Sequence, residues 1–263
     1  MMFLTIVCFA LFVLFLSLKT PGNEKQWRLA QQVLPEITLE DDTITVKGLR
    51  DFRYNSDGSV AEANYKTQAY RVSELKAAWY GISHFGKFGL AHVFMSFEFA
   101  DGQYLVVSIE ARRRENEDYN PIKGLFRAYT KMVVLGTEQD VIGLRSNVHK
   151  EPVYLYALTI TKLNQTSLLL NYLRGAQHLN WKPEFYNTLL DNCITGLLEE
   201  SKPFSSWTSW LDTRILLPGK SDQLAYQLGF IDNEQPFDMV QGRALVDAAI
   251  LPDDAAFSSS IRL

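Results

Sequence analysis

The residue whose type and position most directly indicate chemistry is Cys193, the only cysteine outside the apolar N-terminus. Two residues that often begin helices, Asp191 and Asn192, precede it, and an apolar run, residues 194–198, follows it. This order predicts a loop that enters a helix with the thiol in its first turn. The positive end of a helix dipole favours thiolate, which is the nucleophilic form of cysteine. We therefore expect Cys193 to be a nucleophile, and a buried core cysteine is the alternative.

A thiol nucleophile needs a base within hydrogen-bond reach, and four histidines are available. His92 is the candidate, because it shares one face of the predicted strand 90–99 with a serine and a carboxylate. His149 lies in a polar stretch and His178 lies late on a predicted amphipathic helix, so we interpret both as structural. His84 lies in a predicted glycine-bearing loop and remains open as an alternative base.

The residue that orients the base should come from the neighbouring strand. A tight turn leads into a returning strand, 104–110, on which Ser108 and Glu110 share one face. We favour Glu110, because a carboxylate also stabilises the imidazolium that forms during catalysis. The alternative is an ordinary salt bridge from Glu110 to Arg112 or Arg113.

An oxyanion formed in such a reaction would be stabilised by the backbone N–H of Cys193 at the helix start. The side-chain amide of Asn192 or Asn187 could support it, although turn capping explains both asparagines equally well. The sequence has no zinc-type Cys/His spacing, no phosphate-binding glycine loop and no serine nucleophile elbow. We therefore expect no metal and no cofactor.

Strands and helices alternate irregularly along the chain, and there are no internal repeats. Alternating patterns predict strands at 42–47, 51–54, 65–70, 90–99, 104–110 and 152–160, with Gly48 ending the first of them. Helical spacing predicts a helical turn or short helix at 72–79 and helices at 124–132, 167–179, 222–228 and 241–250. This mixture predicts one α+β domain.

The first 18 residues contain no charged side chain. As a helix they would be about 27 Å long, close to the roughly 30 Å of a bilayer core. The residues that follow do not form a typical signal cleavage site, so we expect an uncleaved anchor, with a cleaved signal peptide as the alternative. The predicted organisation is an anchor at 1–19, a linker at 20–26 and one domain at 27–263.

Composition excludes some classes of function. The chain has 263 residues with 26 basic and 30 acidic side chains, which gives a formal net charge of −4. Because there is no basic excess, nothing supports nucleic-acid binding. Two cysteines, one of them in the apolar N-terminus, cannot crosslink the domain with a disulfide.

Several stretches together resemble the Lnb N-terminal periplasmic domain family, the N-terminal domain of a bacterial lipoprotein N-acyltransferase. The resemblance runs from about Trp27 to the C-terminal tail. The stretches are Arg50-Asp-Phe-Arg-Tyr, Ala91-His-Val-Phe-Met-Ser-Phe-Glu-Phe-Ala-Asp-Gly, Ser108-Ile-Glu-Ala-Arg-Arg, Gly124-Leu-Phe-Arg-Ala-Tyr, Val153-Tyr-Leu-Tyr and Phe185-Tyr-Asn-Thr-Leu-Leu-Asp-Asn-Cys.

The resemblance implies a permuted papain-like (NlpC-type) domain with an antiparallel sheet and packed helices, in which histidine precedes cysteine. It implies that His92 and Cys193 are the catalytic pair. It also implies an envelope location with the domain in the periplasm. Together with the anchor predicted from residues 1–18, this predicts a single-pass protein of the bacterial inner membrane.

The expected activity is acyl transfer or hydrolysis through a thioester on Cys193, with a phospholipid or a lipoprotein at the membrane as the substrate. Two alternatives remain open. One is a peptidoglycan amidase or peptidase of the same thiol class, and the other is a catalytically idle binding module.

Overall fold

A computed structural model gives the structure of the chain and describes residues 5, 7, 14–86, 89–188, 191, 214 and 218–262. The predicted nucleophile Cys193 and its neighbour Asn192 lie outside the described residues. The helix predicted to begin at Cys193 lies outside them as well, as do most of the first 13 residues.

The described strands form one eight-stranded sheet. Their bounds are β1 Glu36–Glu40, β2 Thr43–Tyr54, β3 Val60–Arg71, β4 Leu75–His84, β5 Ala91–Phe99, β6 Tyr104–Arg112, β7 Thr130–Gly136 and β8 Val153–Ala157. The spatial order is β1-β2-β7-β6-β5-β4-β8, and β3 pairs with β2 outside this path.

All pairs of strands are antiparallel except β2 and β7, which meet in parallel through Arg50 and Gly136. A Cβ on Gly136 would lie 3.2 Å from the carbonyl oxygen of Arg50, so glycine permits this close approach. The α+β class is confirmed, but the sheet is mixed and not purely antiparallel.

Helices lie between and after the strands. The α-helices are α1 Pro121–Gly124, α2 Glu138–Gly143, α3 Lys162–Trp181, α4 Ser221–Gln227, α5 Phe237–Ala244 and α6 Phe257–Ser260. Short 3₁₀ helices span Leu29–Gln31, Val72–Glu74 and Pro218–Lys220, and a π-helical turn spans Leu144–Val148.

The hairpin of β5 and β6 positions the candidate base. Its turn contains Gly102 at φ +81°, a left-handed conformation that favours glycine. The register pairs Phe94 with Ser108. Because side chains two residues apart share a strand face, His92 lies diagonal to Ser108 and on the same face. The predicted strands 90–99 and 104–110 and the turn between them are confirmed.

Of the helical turn or short helix predicted at 72–79, the helical turn is present at Val72–Glu74, and a helix over the whole range is wrong. Only a 3₁₀ turn forms there, and β4 begins at Leu75. Leu75, Ala78 and Trp79 have helical spacing, yet β4 pairs with β5 on one edge and with β8 on the other. Pairing along both edges outweighs the local helical pattern. For the same reason His84, predicted in a loop, ends a strand.

The helix predicted at 124–132 is also wrong, because α1 ends at Gly124 and β7 occupies residues 130–132. Gly48, predicted to end a strand, instead forms a bulge inside β2, where it adopts φ +80° and the register with β3 shifts. The strands predicted at 42–47 and 51–54 are therefore one continuous strand.

Three predicted helices have counterparts in the structure. Those at 167–179 and 222–228 are confirmed as α3 and α4, and α3 is longer because Thr161 caps its N-terminus earlier. The helix predicted at 241–250 is shifted to α5. It ends early because Leu245 pairs with Tyr154 and the N–H of Val246 bonds to Val153.

Hydrophobic side chains cover both faces of the sheet. One core cluster packs the sheet against α3, α4 and α5, and it includes Phe97, Leu169 and Ala225. The other packs Phe94 and neighbouring strand residues against Phe257 of α6. Among the described residues, no helix has both the length and the apolar character needed to cross a membrane. The permuted papain-like arrangement stays a prediction.

Candidate functional site

A cavity of about 700 Å³ opens beside the N-terminal end of β5 and the C-terminal end of β6. His92 and Glu110 contribute to its wall. Much of the rest is apolar, and it includes Leu29, Val60, Phe85, Leu90, Val93, Ile109, Ile122, Leu125, Val141 and Leu144. Such a cavity, largely apolar with a few convergent polar groups, is typical of small-molecule sites.

His92 is held by Ser108 at 2.7 Å, measured from the ring Nε2 to the hydroxyl Oγ. Its ring also stacks on Phe94, with ring centroids 6.3 Å apart. Among the described residues, the other ring nitrogen, Nδ1, has no hydrogen bond. The ring is therefore fixed through one nitrogen.

Ser108 also donates to Glu110 Oε1 at 3.1 Å. A hydroxyl has a single hydrogen, so the hydroxyl that donates to Glu110 must accept from His92. This order assigns the tautomer of His92 with the proton on Nε2 and the lone pair on Nδ1. The atom able to take a proton is therefore Nδ1.

Glu110 is held ionised by its surroundings. Burial acts to raise its pKa, but Arg50, His92, Arg145 and a hydrogen bond from Gln31 outweigh burial and lower the pKa to about 2. Gln31 Nε2 donates to Glu110 Oε2 at 3.0 Å. An ionised carboxylate only accepts hydrogen bonds, which supports the direction of the Ser108 bond.

His92 is held neutral. Burial is the largest cause, and the positive charge of Arg145 adds to it, so that its pKa falls to about 3 although Glu110 and Glu151 act to raise it. A neutral imidazole at physiological pH is the form that accepts a proton. The histidine therefore has the protonation state that a general base requires.

Arg145 joins two carboxylates at the back of the site. Its guanidinium lies 3.6 Å from Glu151 Oε2 and 4.0 Å from Glu110 Oε1, and its Nε has no hydrogen bond to any residue that the structure describes. It belongs to the π-helical turn that follows α2, a conformation common at functional sites. Glu151 also accepts from Ser83 Oγ at 2.5 Å.

A buried ion pair braces one side of the cavity. Arg50 donates to Asp140 through Nε at 2.8 Å and through Nη2 at 2.9 Å. Asp140 also accepts from the hydroxyl of Tyr54 at 3.0 Å. Arg50 donates a further bond to the carbonyl oxygen of Ala30 at 2.9 Å. A bidentate pair of this kind fixes the wall in one geometry.

Gln31 ties the N-terminal segment to β6. Its Nε2 donates to the carbonyl oxygen of Ala111 at 3.2 Å as well as to Glu110, and its Oε1 accepts from the backbone N–H of Arg113 at 2.7 Å. Arg112 donates to the carbonyl oxygens of Gln31 and Gln32. The alternative salt bridge from Glu110 to Arg112 or Arg113 is therefore absent among the described contacts.

Arg113 is a cation of the cavity wall without an anionic partner among the described residues. Burial and the neighbouring Arg28 lower its pKa. Arg28, by contrast, is paired with Asp118 at 3.0 Å. The guanidinium of Arg113 is therefore free to meet an anionic group of a ligand.

The segment that leads towards Cys193 also reaches the cavity. Tyr186, Thr188 and Asp191 contribute to its wall. Asp191 accepts from Lys131 Nζ at 3.1 Å and from the backbone N–H of Asn187 at 2.6 Å. Asn187 does not belong to the cavity wall among the described residues. The roles predicted for it, for Asn192 and for Cys193 stay predictions.

The other three histidines have ordinary surroundings. His84 packs edge-on against Tyr154, with ring centroids 5.6 Å apart. His178 is half exposed, 3.7 Å from Glu184. His149 lies on the cavity wall, 3.4 Å from Glu151.

His92, Ser96 and Glu98 were expected to share one strand face at the site. Only His92 belongs to the cavity wall, and the other two side chains have partners elsewhere. Ser96 donates to Glu138 at 2.5 Å, and Glu98 accepts from Lys76 and from Trp79. Neither residue belongs to the cavity wall, so their presence on the strand was not itself a signal of the site. Among the described residues, no three histidine, cysteine or acidic side chains form a group that could hold a metal ion.

Sequence reasoning missed Gln31, Arg50, Arg145 and Glu151. Only Arg50 carried a signal, because it belongs to one of the stretches that support the family resemblance. The other three come from segments with no pattern that connects them to His92.

Comparison with known proteins finds a matching family but no matching individual protein. No curated protein and no solved structure matches the chain. A family model described as the Lnb N-terminal periplasmic domain matches residues 61–218, more than half of the chain. The matched region includes His92, Ser108 and Glu110, and it extends over Cys193. The chain therefore belongs to the Lnb N-terminal periplasmic domain family.

Proposed function

We propose that this protein is a periplasmic Cys/His enzyme that transfers or hydrolyses acyl groups through a thioester on Cys193. Its substrates would be phospholipids or lipoproteins at the membrane. The observation that carries the proposal is the bonded series from His92 through Ser108 to Glu110, which opens onto a largely apolar cavity.

The path of the chain supports a meeting of Cys193 and His92. Asp191 belongs to the wall of the cavity that also contains His92. Each residue advances the chain by at most about 3.6 Å. Cys193 is the second residue after Asp191, so the chain allows at most about 7 Å between the Cα atoms of the two residues.

In the first half of the reaction, Nδ1 of His92 would take the thiol proton as the sulfur attacks the carbonyl carbon of an ester. The carbon–oxygen bond would then break, and the alcohol would leave with the proton from His92. In the second half, His92 would take a proton from an amine or a water molecule that attacks the thioester. The carbon–sulfur bond would break, and the thiolate would recover that proton.

Ser108 and Glu110 would act by positioning His92. The hydroxyl of Ser108 fixes the Nε2–H tautomer, and the charge of Glu110 stabilises the imidazolium that forms in both halves of the reaction. Burial, to which the charge of Arg145 adds, keeps the pKa of His92 low and the resting histidine neutral. The site would therefore work by general base catalysis, with no standing thiolate–imidazolium pair required.

The cavity supports a substrate with an apolar tail and an anionic group. Aliphatic walls suit an acyl chain, and the guanidinium of Arg113, which forms no ion pair with the described residues, suits a phosphate or carboxylate. Membership in a periplasmic domain family suggests a periplasmic location. We propose that residues 1–18 anchor the protein to the inner membrane, which would keep the cavity near lipid.

Intact-mass analysis of the protein after incubation with envelope lipids tests the proposal. We expect a fatty-acyl adduct on the wild type that is absent from Cys193→Ser and from His92→Ala. His178→Ala is the matched control, because that histidine is half exposed and does not belong to the described cavity wall. It should acylate like the wild type.

Two results would contradict the proposal. Release of a peptide from cell-wall material, with no acyl adduct, would indicate the amidase alternative. A protein that gains no acyl adduct from envelope lipids and also releases no peptide from cell-wall material would indicate a binding module.

A further inference from the structure

The exposed turn at residues 121–128 carries three large apolar side chains at the edge of the cavity. Ile122 is 66% exposed, Phe126 is 41% exposed and Leu125 is 36% exposed. We propose that this turn, the apolar lip, inserts into the interface of a phospholipid bilayer, so that the cavity opens towards lipid. The inference rests on the membrane anchoring in the proposed function.

The lip is built to hold its apolar side chains outwards. Asn120 caps α1 by accepting from the N–H groups of Ile122 and Lys123. Gly124 is buried against Thr188, and a Cβ at Gly124 would lie 2.1 Å from the Thr188 hydroxyl oxygen. The turn therefore cannot rotate its exposed side chains inwards without losing its cap and its packing.

Contacts with the N-terminal segment identify the occupant of this surface. Lys19 Nζ donates to the carbonyl oxygen of Phe126 at 3.1 Å, and Arg127 Nη1 donates to that of Leu16 at 3.1 Å. Near these contacts, Phe15 is 57% and Leu18 is 73% exposed. The lip is thus continuous with the end of an 18-residue stretch that has no charged side chain.

Charges around the lip fit a lipid surface. Lys123 and Arg127 belong to the lip and Lys19 contacts it, and cations beside an apolar surface are attracted to anionic phospholipids. The nearest preceding acid, Asp118, is paired with Arg28. Exposed apolar side chains with flanking cations are the pattern by which proteins lie in a bilayer interface.

The position of the lip gives this surface a role. Ile122 and Leu125 belong to the cavity wall as well as to the lip. A lipid acyl chain could therefore pass from the bilayer interface to the apolar wall without crossing water. This route would select substrates that reside in a membrane over soluble esters of the same chemistry.

Depth-dependent fluorescence quenching on the full chain tests the proposal. Both native cysteines are replaced by serine, and a polarity-sensitive fluorophore is attached through Phe126→Cys or, separately, through Ile122→Cys. The protein is reconstituted into vesicles of phosphatidylcholine and phosphatidylglycerol, with or without nitroxide-labelled lipid. Met239→Cys is the matched control, because Met239 is an apolar residue that is 56% exposed on α5. Leu14→Cys reports on the anchor.

Residues in an interface lie about 5–10 Å into the headgroup boundary, so we expect nitroxide lipid to quench roughly half of the emission at 122 and 126 and little at 239. If the label at position 14 is quenched while the labels at 122 and 126 are quenched no more than the label at 239, the lip is overturned and the anchoring stands. Emission unaffected at all four positions would overturn both the lip and the anchoring.

Discussion

The same three kinds of side chain meet at two places on this sheet. At the cavity, Ser108 of β6 bonds to Glu110, and Arg145 lies 4.0 Å from that carboxylate. On β5, Ser96 bonds to Glu138, and Arg262 pairs with that carboxylate directly. We call these the cavity cluster and the sealed cluster.

The two clusters differ in closure, meaning the degree to which solvent is excluded from their side chains. In the sealed cluster, Glu138 is fully buried and Arg262 is covered by the rings of Trp79 and Tyr104. In the cavity cluster, the side chains of Glu110 and Arg145 are each 15% exposed to solvent, and a histidine joins them. The same groups thus stabilise the fold where they are sealed, and they remain available to a ligand where they are open.

The largest expected effect is on catalysis, at the histidine that only the cavity cluster contains. Loss of a general base typically lowers a rate by about 10²–10⁴-fold. We therefore expect His92→Ala to reduce acylation of Cys193 by about that factor and to change the urea unfolding midpoint little. A variant that acylates normally would remove His92 from the mechanism.

Breaking the sealed cluster should produce the opposite result. Glu138→Gln leaves Arg262 buried without its anionic partner, and a broken buried pair costs about 3–5 kcal/mol of stability. Urea unfolding measures this loss. The matched variant Glu110→Gln should unfold closer to the wild type and lose more activity. If Glu110→Gln were the less stable of the two, closure would not be what distinguishes the clusters.

Acid should act on the cavity cluster first. The pKa of His92 is lowered to about 3 in the folded protein, whereas in the unfolded chain it is near 6.5. Below 6.5 the unfolded state binds a proton that the folded state does not, so stability falls as the pH drops from 6.5 towards 3. Glu110, whose folded pKa is about 2, adds a further loss below about 4.5.

Urea unfolding at a series of pH values separates the two contributions. We expect His92→Asn to lose the component between pH 6.5 and 4.5 that the wild type shows, since asparagine does not titrate. The component below pH 4.5 should remain in that variant. An unchanged slope between pH 6.5 and 4.5 would mean that His92 titrates normally in the folded protein.

Part of the cavity cluster could be predicted from the sequence. Alternation along β5 and β6 and the turn at Gly102 placed His92, Ser108 and Glu110 on adjacent positions of one hairpin. Period-two patterning and a tight turn are local features, so both can be recognised in the sequence without knowing the rest of the fold. The residue that contacts the histidine directly is Ser108, with Glu110 beyond it.

The remainder depends on contacts distant in sequence. Gln31 reaches Glu110 across 79 positions, and Arg50 reaches Asp140 across 90. No local pattern encodes such pairs. For a related reason, 72–79 forms only one helical turn before β4 begins. Strand pairing on both edges of β4 is a tertiary effect that the local pattern does not contain.

The smallest expected difference compares the two serines. Ser108→Ala frees the Nε2–H of His92 from its acceptor and allows the wrong tautomer, so we expect acylation to fall by about tenfold, which is close to 1.4 kcal/mol in the barrier. Its effect on stability should be small, because the neighbouring cavity admits water to the freed groups. Ser96→Ala should leave acylation unchanged and cost about 1–3 kcal/mol in urea unfolding, because Glu138 has no access to solvent. If the two substitutions had equal effects on acylation and on urea unfolding, the exclusion of solvent from one cluster would not explain the different roles of the two serines.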